Sequence, residues 1–145
     1  MTALTADRNT PQSMGPRRVG LVAAATTIFA GAMLMRNATG FLVEGQTATG
    51  LIGVGRAQEY VDNAAGANGD IRVEFEPGIF RYENSAAADE ITEADLGTVC
   101  FAVDDQTVAK TSATNTRSPA GVVDHVDELG VWVRFDEALT RAAAA

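Results

Sequence analysis

The segment Asp124-His125-Val126-Asp127 sets the only histidine of the chain between two carboxylates. That is the arrangement in which an acid orients an imidazole that takes or gives a proton. A general base needs a group to activate, and no Ser or Cys stands in a nucleophile pattern such as G-x-S-x-G. Strand alternation also predicts that Asp124 and His125 face opposite ways, which leaves His125 as a surface residue of a hairpin. Asp104-Asp105, with Asp95 ahead of it, offers oxygen ligands for calcium or a carboxylate pair for acid and base work. Aspartate equally favours turns, because its side chain accepts nearby backbone N–H groups, and a turn is the expectation. Cys100, in Val99-Cys100-Phe101, has no neighbour in sequence to lower its pKa and reads as a small buried hydrophobe. Gly53-x-Gly55 lacks the third glycine and the following helix of a dinucleotide loop. Trp132 with Tyr60 or Tyr82 would make a sugar-stacking platform, against which stands ordinary core or subunit packing.

One cysteine and one histidine cannot build an intramolecular disulfide, a Cys-rich zinc site or a Cys-His pair among several histidines. The expectation is a protein that is not an enzyme and carries no metal or other cofactor.

The elements that must position these residues are bounded by composition. The chain has 145 residues and a formal charge of −8, with an isoelectric point near 4.5. A domain of that size hides roughly two-thirds of its unfolded surface, enough for a core without staples. Phosphate neutralisation needs clustered Lys and Arg, so nucleic acid is not an expected partner. Residues 1–44 hold Arg8, Arg17, Arg18 and Arg36 against Asp7 and Glu44, so a mildly basic head precedes an acidic body. Gly20 to Met35 is an uncharged run of 16 residues, shorter than the ~20 a membrane-spanning helix needs. Arginines ahead of it give it some look of a signal peptide, but Thr26-Thr27 and Gly31 interrupt it and it runs on into a strand pattern. No membrane partner is expected.

Residues 1–18 contain Pro11, Gly15 and Pro16 and almost no apolar periodicity, which predicts an extended arm. A β-rich domain over 19–136 follows, with short apolar stretches between turn residues. Strands are expected over Val19–Ala24, over Ala32–Met35 with Gly40–Val43 as a hairpin, and over Leu51–Val61, bulged near Gly53 and Gly55. Ile71, Val73 and Phe75 alternate with Arg72, Glu74 and Glu76, one face packed and one wet. Pro77-Gly78 turns the chain into Ile79–Tyr82. Thr92-Glu93-Ala94-Asp95 has the form of a capping box, with Gly97 closing one helical turn. Thr98–Val103 and Thr107–Ala109 flank the Asp104-Asp105 turn, and 111–118 is a polar loop. Ala120–Val126 and Gly130–Phe135 make a closing hairpin, with Val131, Val133 and Phe135 on one face and Trp132 and Arg134 on the other. Asp136 caps a short tail helix over 137–145 that frays from Ala142.

Several stretches resemble the head-decoration, or capsid-cement, proteins of tailed bacteriophages and prophages. They are Thr5-Ala6-Asp7-Arg8-Asn9-Thr10-Pro11, Ile28 to Ala32, Asn37 to Phe41 and Val61-Asp62-Asn63 with Gly66 and Gly69-Asp70. Gly78 to Tyr82, Asp95 to Gly97, Asp104 to Val108, Ala120 to Val123 and Gly130 to Val133 continue the likeness in order and spacing. The resemblance implies an all-β fold, a small antiparallel β-sandwich or partly open, tulip-like barrel, with at most one or two short helical turns.

It also implies a homotrimer on the outer surface of the virion capsid, made in the bacterial host cytoplasm and bound to the major capsid protein. The arm residues Thr5, Asp7, Arg8, Asn9, Thr10 and Pro11 would grip that protein, and Arg17, Arg18 and Trp132 would touch a subunit or the capsid. The competing expectation is a ligand-binding β-sandwich module for carbohydrate, with or without calcium, using Trp132, Tyr60 and exposed acids.

Overall fold

Alternation decides which residues are buried. In a computed structural model describing residues 2–145, Val131, Val133 and Phe135 are buried to within 1% while Arg134 between them is exposed. They lie on β12 (Gly130–Phe135), which forms a hairpin with β11 (Pro119–Asp127). With β8 (Gly78–Tyr82), β9 (Val99–Ala102) and β10 (Val108–Ala109) they form a five-stranded antiparallel sheet, order β10-β9-β11-β12-β8. The other large sheet, order β1-β7-β5-β3-β4, holds β1 (Arg18–Leu21), β3 (Met33–Arg36), β4 (Leu42–Glu44), β5 (Ile52–Ala57) and β7 (Arg72–Glu76). The fold is an all-β sandwich.

Strand β3 shows how the layers stack. Met33 and Met35 enter the core between the two large sheets, with Tyr82, Cys100, Val123 and Phe135. Leu34 points the other way, into a second core with Ile28, Leu42, Val54 and Phe75. A period of two with apolar residues on both faces marks a strand covered on both sides. The outer cover is a two-stranded ribbon of β2 (Thr26–Ile28) and β6 (Val61–Asn63), to which Ile28 belongs. The uncharged run from Gly20 to Met35 is thus spent on β1, β2 and β3. Among the described residues no helix is long and apolar enough to cross a membrane.

Several expectations change in detail. The strand expected over Leu51–Val61 ends at Ala57, and Val61–Asn63 pairs with β2 instead. The expected bulge is present: Leu34 faces Gly55 and Met35 faces Gly53, leaving Val54 as the extra residue. Pro77-Gly78 is a corner at which the chain leaves one sheet for the other, since β7 and β8 lie in different sheets. In the β3–β4 turn only Gly40 takes the left-handed conformation, at φ +94°. Asn37 works through its side chain, Oδ1 accepting from the N–H groups of Thr39 and Phe41 at 3.1 and 3.0 Å.

Helical structure is limited, as expected, with one short turn more than the capping box and the tail account for. Single 3-10 turns span Ala87–Asp89 and Glu93–Asp95, and α1 (Glu137–Ala144) is a true helix. Asp136 Oδ1 accepts the Leu139 N–H at 3.0 Å, as expected of a cap. The helix continues to Ala144, through the residues where fraying was expected, and its start is clamped to β3. Arg36 Nε lies 3.1 and 3.0 Å from the two oxygens of Glu137.

Candidate binding surface

The arm meets the sandwich at two arginines. Arg17 Nη1 reaches Glu74 Oε2 at 3.1 Å, and its Nε lies 3.7 Å from Glu76 Oε1, so its charge is turned onto β7. Arg18 opens β1 and donates to the carbonyls of Gly15 and Arg17 at 2.8 and 2.9 Å. Ahead of them residues 2–17 contain no strand or helix and are exposed, including Thr5, Asp7, Arg8, Asn9, Thr10 and Pro11. Leu4 and Met14 are 73% and 80% exposed. Met1, the first residue of the expected arm, lies outside the described residues.

Trp132 sits elsewhere, on the outer face of the β8–β12–β11 sheet. Register places Arg81, Trp132 and His125 side by side across three strands. The His125 and Trp132 rings stack with centroids 5.0 Å apart and planes 14° from parallel, and the Arg81 guanidinium lies 5.7 Å from the Trp132 ring centre. Trp132 Nε1 donates to Asp127 Oδ2 at 2.8 Å. Arg18 borders a different hollow, with Val19, Pro77 and Asp136, whereas Trp132 borders one with Gly31, Arg56, Phe80 and Arg81. The three expected contact residues Arg17, Arg18 and Trp132 do not form one patch.

The histidine segment departs from its expected geometry. The β11–β12 register shifts between Val123 and His125, which makes Asp124 the extra residue of a β-bulge. Bulging cancels the alternation at this point, so Asp124 and His125 lie together, Nδ1 2.8 Å from Oδ2. Arg134 Nη2 stands 3.8 Å from the other Asp124 oxygen. Asp127 does not join them. Its Oδ1 accepts the Leu129 and Gly130 N–H groups that make the hairpin turn. The Trp132 N–H and then the Leu129 N–H hold its carboxyl below the usual aspartate value.

No family model, curated protein or solved structure matches this chain.

The remaining chemistry-bearing residues serve local structure. Asp95 closes the expected capping box, Oδ2 accepting the Thr92 N–H at 2.8 Å, and Lys110 Nζ lies 3.4 Å from its other oxygen. The Thr92 N–H, foremost, holds its carboxyl below the usual range. Asp104 Oδ1 accepts the Gln106 N–H at 2.9 Å, as turn chemistry requires. Among the described residues no three His, Cys, Asp or Glu side chains are grouped to hold a metal ion. Cys100 is fully buried, and burial pushes its thiol up to about 12.

The expected sugar platform is not assembled. Tyr60 pairs with Phe29 on the ribbon side, ring centres 5.4 Å apart, and Tyr82 is buried with its hydroxyl donating to the Gly31 carbonyl at 2.8 Å. What stands beside Trp132 is Arg81 and His125, and sequence reasoning passed over Arg81. Its signal was faint: Arg81 alternates with Phe80 and Tyr82, and only the β8–β12 register names its cross-strand neighbour.

Proposed function

We propose that the chain is a non-enzymatic decoration protein of a tailed-phage capsid. It binds the outside of the assembled head through its leading arm and stabilises the shell as a homotrimer. The observation that carries this reading is the contrast between an exposed arm without regular structure over 2–17 and a sandwich that begins abruptly at Arg18. An extended segment gains affinity by adding backbone hydrogen bonds to a partner's sheet edge, each worth ~1 kcal/mol net. One arm binds weakly, and three on one trimer gain on the order of 100-fold by avidity. Because such a protein binds the lattice and not its dispersed subunits, it stabilises the shell by mass action.

The use of the reactive side chains supports a binding role. Asp95 and Asp127 are engaged in turns, Cys100 is sealed in the core, and the −8 charge suits a protein packed densely on a particle. The test mixes the purified protein with assembled heads and, separately, with dissociated major capsid protein of the phage or prophage that encodes it. The reading expects co-sedimentation with heads, a higher temperature of head disassembly, and a trimer mass in solution or on the shell. Absence of binding to assembled heads overturns it.

A further inference from the structure

We infer that the free edge of β8, with the hollow beside it, binds an extended acidic peptide segment by adding it as a sixth strand to the sheet. Strand β8 ends its sheet, and among the described residues it pairs only with β12. On such an edge every second residue directs its N–H and C=O away from the partner strand. The open length is defined at its far end: the Glu83 N–H donates to the Gln106 carbonyl at 2.8 Å and the Glu83 carbonyl accepts from Val108 at 3.0 Å. Gly78 to Tyr82 is left as the open stretch, long enough for one short strand.

Charge selects the occupant. Arg56 and Arg81 both border a hollow of about 300 Å³ along this edge, together with Gly31, Ile79, Phe80 and Trp132. Arg81 is exposed, and among the described residues no carboxylate lies within 4 Å of its guanidinium. Arg56 lies 4.2 Å above the Phe80 ring and has only a long contact to Glu76, 3.6 Å, with Gln58 Oε1 accepting from its Nε at 2.9 Å. Two guanidiniums on opposite sides of one strand edge, each on an aromatic ring, suit carboxylates from a chain laid along that edge. In a molecule of net charge −8 the lining of this hollow holds two arginines and no acid, with Glu76 beside Arg56 and the Asp127 carboxylate within Coulombic reach of Arg81. Its own leading segment, which carries Arg8, Arg17 and Arg18 against Asp7, has the wrong sign to be the occupant. The inference is therefore independent of how the arm is used.

The probe is a ten-residue peptide alternating Thr and Glu, with a Thr/Lys peptide as control, titrated into the full-length protein and followed by amide NMR. The inference expects saturable shifts centred on Gly78–Tyr82 with the Glu peptide and none with the Lys peptide. Arg56→Gln and Arg81→Gln are each expected to weaken binding about tenfold while leaving the rest of the spectrum in place. No binding at millimolar Glu peptide, equal binding of the Lys peptide, or shifts centred on β1 or β10 would each overturn it. Head binding by the same preparation reports separately on the decoration role.

Discussion

The carbonyl oxygen of Ala120 occupies the space that a side chain at Gly53 would need. A Cβ built on Gly53 would overlap that oxygen, so the main chains of β5 and β11 meet across the sandwich at this position without any side chain between them. The backbone cannot withdraw easily, because the neighbouring Val54 and Ala120 side chains are buried in different cores. Gly53→Ala is expected to cost about 3 kcal/mol, within the range known for overpacked cores. For a chain of this length that lowers Tm by roughly 10 °C. Calorimetry of the variant checks it, and an unchanged Tm would show that the sheets separate at no cost.

Thr140 tests the helix docking. The residue is fully buried in α1, and among the described residues its Oγ1 has no hydrogen-bond partner. A buried unsatisfied hydroxyl is a standing cost, and valine has the same shape without it. Thr140→Val is expected to raise stability by ~1 kcal/mol in urea unfolding. A loss of similar size would mean that the hydroxyl is engaged.

Two carboxylates give opposite pH signatures. Burial, foremost, raises the Glu44 pKa above 4.5, and its Oε2 is buried with no partner among the described residues. A raised folded-state value makes ionised Glu44 a cost that grows as pH rises through 4.5 and beyond. Glu44→Gln is therefore expected to raise Tm by a few degrees at pH 7, with the gap closing below pH 4.5. Asp127 is lowered from 3.8, so its contribution is present above 3.8 and lost as pH falls through the lowered folded value. Asp127→Asn should be less stable than the native chain at pH 7 and converge on it in strong acid. Melting curves of both variants across pH 2–8 read the two trends, and parallel curves would contradict them.

Local chemistry made part of this molecule legible. Thr92 and Asp95 signal a capping box at three-residue spacing, and the alternation of Val73 and Phe75 with charged neighbours signals a half-wet strand. The Asp127 turn and the Asp136 cap are local in the same sense. The ribbon was hidden because Thr26–Ile28 is only three residues long and its partner lies 35 residues away. The Asp124 bulge was hidden because a bulge exists only relative to a partner strand; alternation put His125 at the surface, where it is, but turned Asp124 away from it. Tyr60 and Trp132 were associated by residue type, whereas topology seats them on different faces.

The leading arm carries the central claim, and shortening it is the most direct measurement. A chain starting at Arg18 keeps every strand of the sandwich and loses the exposed lead, the Arg18 hydrogen bonds to the Gly15 and Arg17 carbonyls and the ion pairs of Arg17, all of them surface contacts worth little. Its circular dichroism should match that of the full chain, with Tm within about 3 °C. In co-sedimentation with assembled heads the shortened protein should remain in the supernatant while the full chain pellets. If the shortened protein pelleted with undiminished affinity, the arm would not be the attachment device.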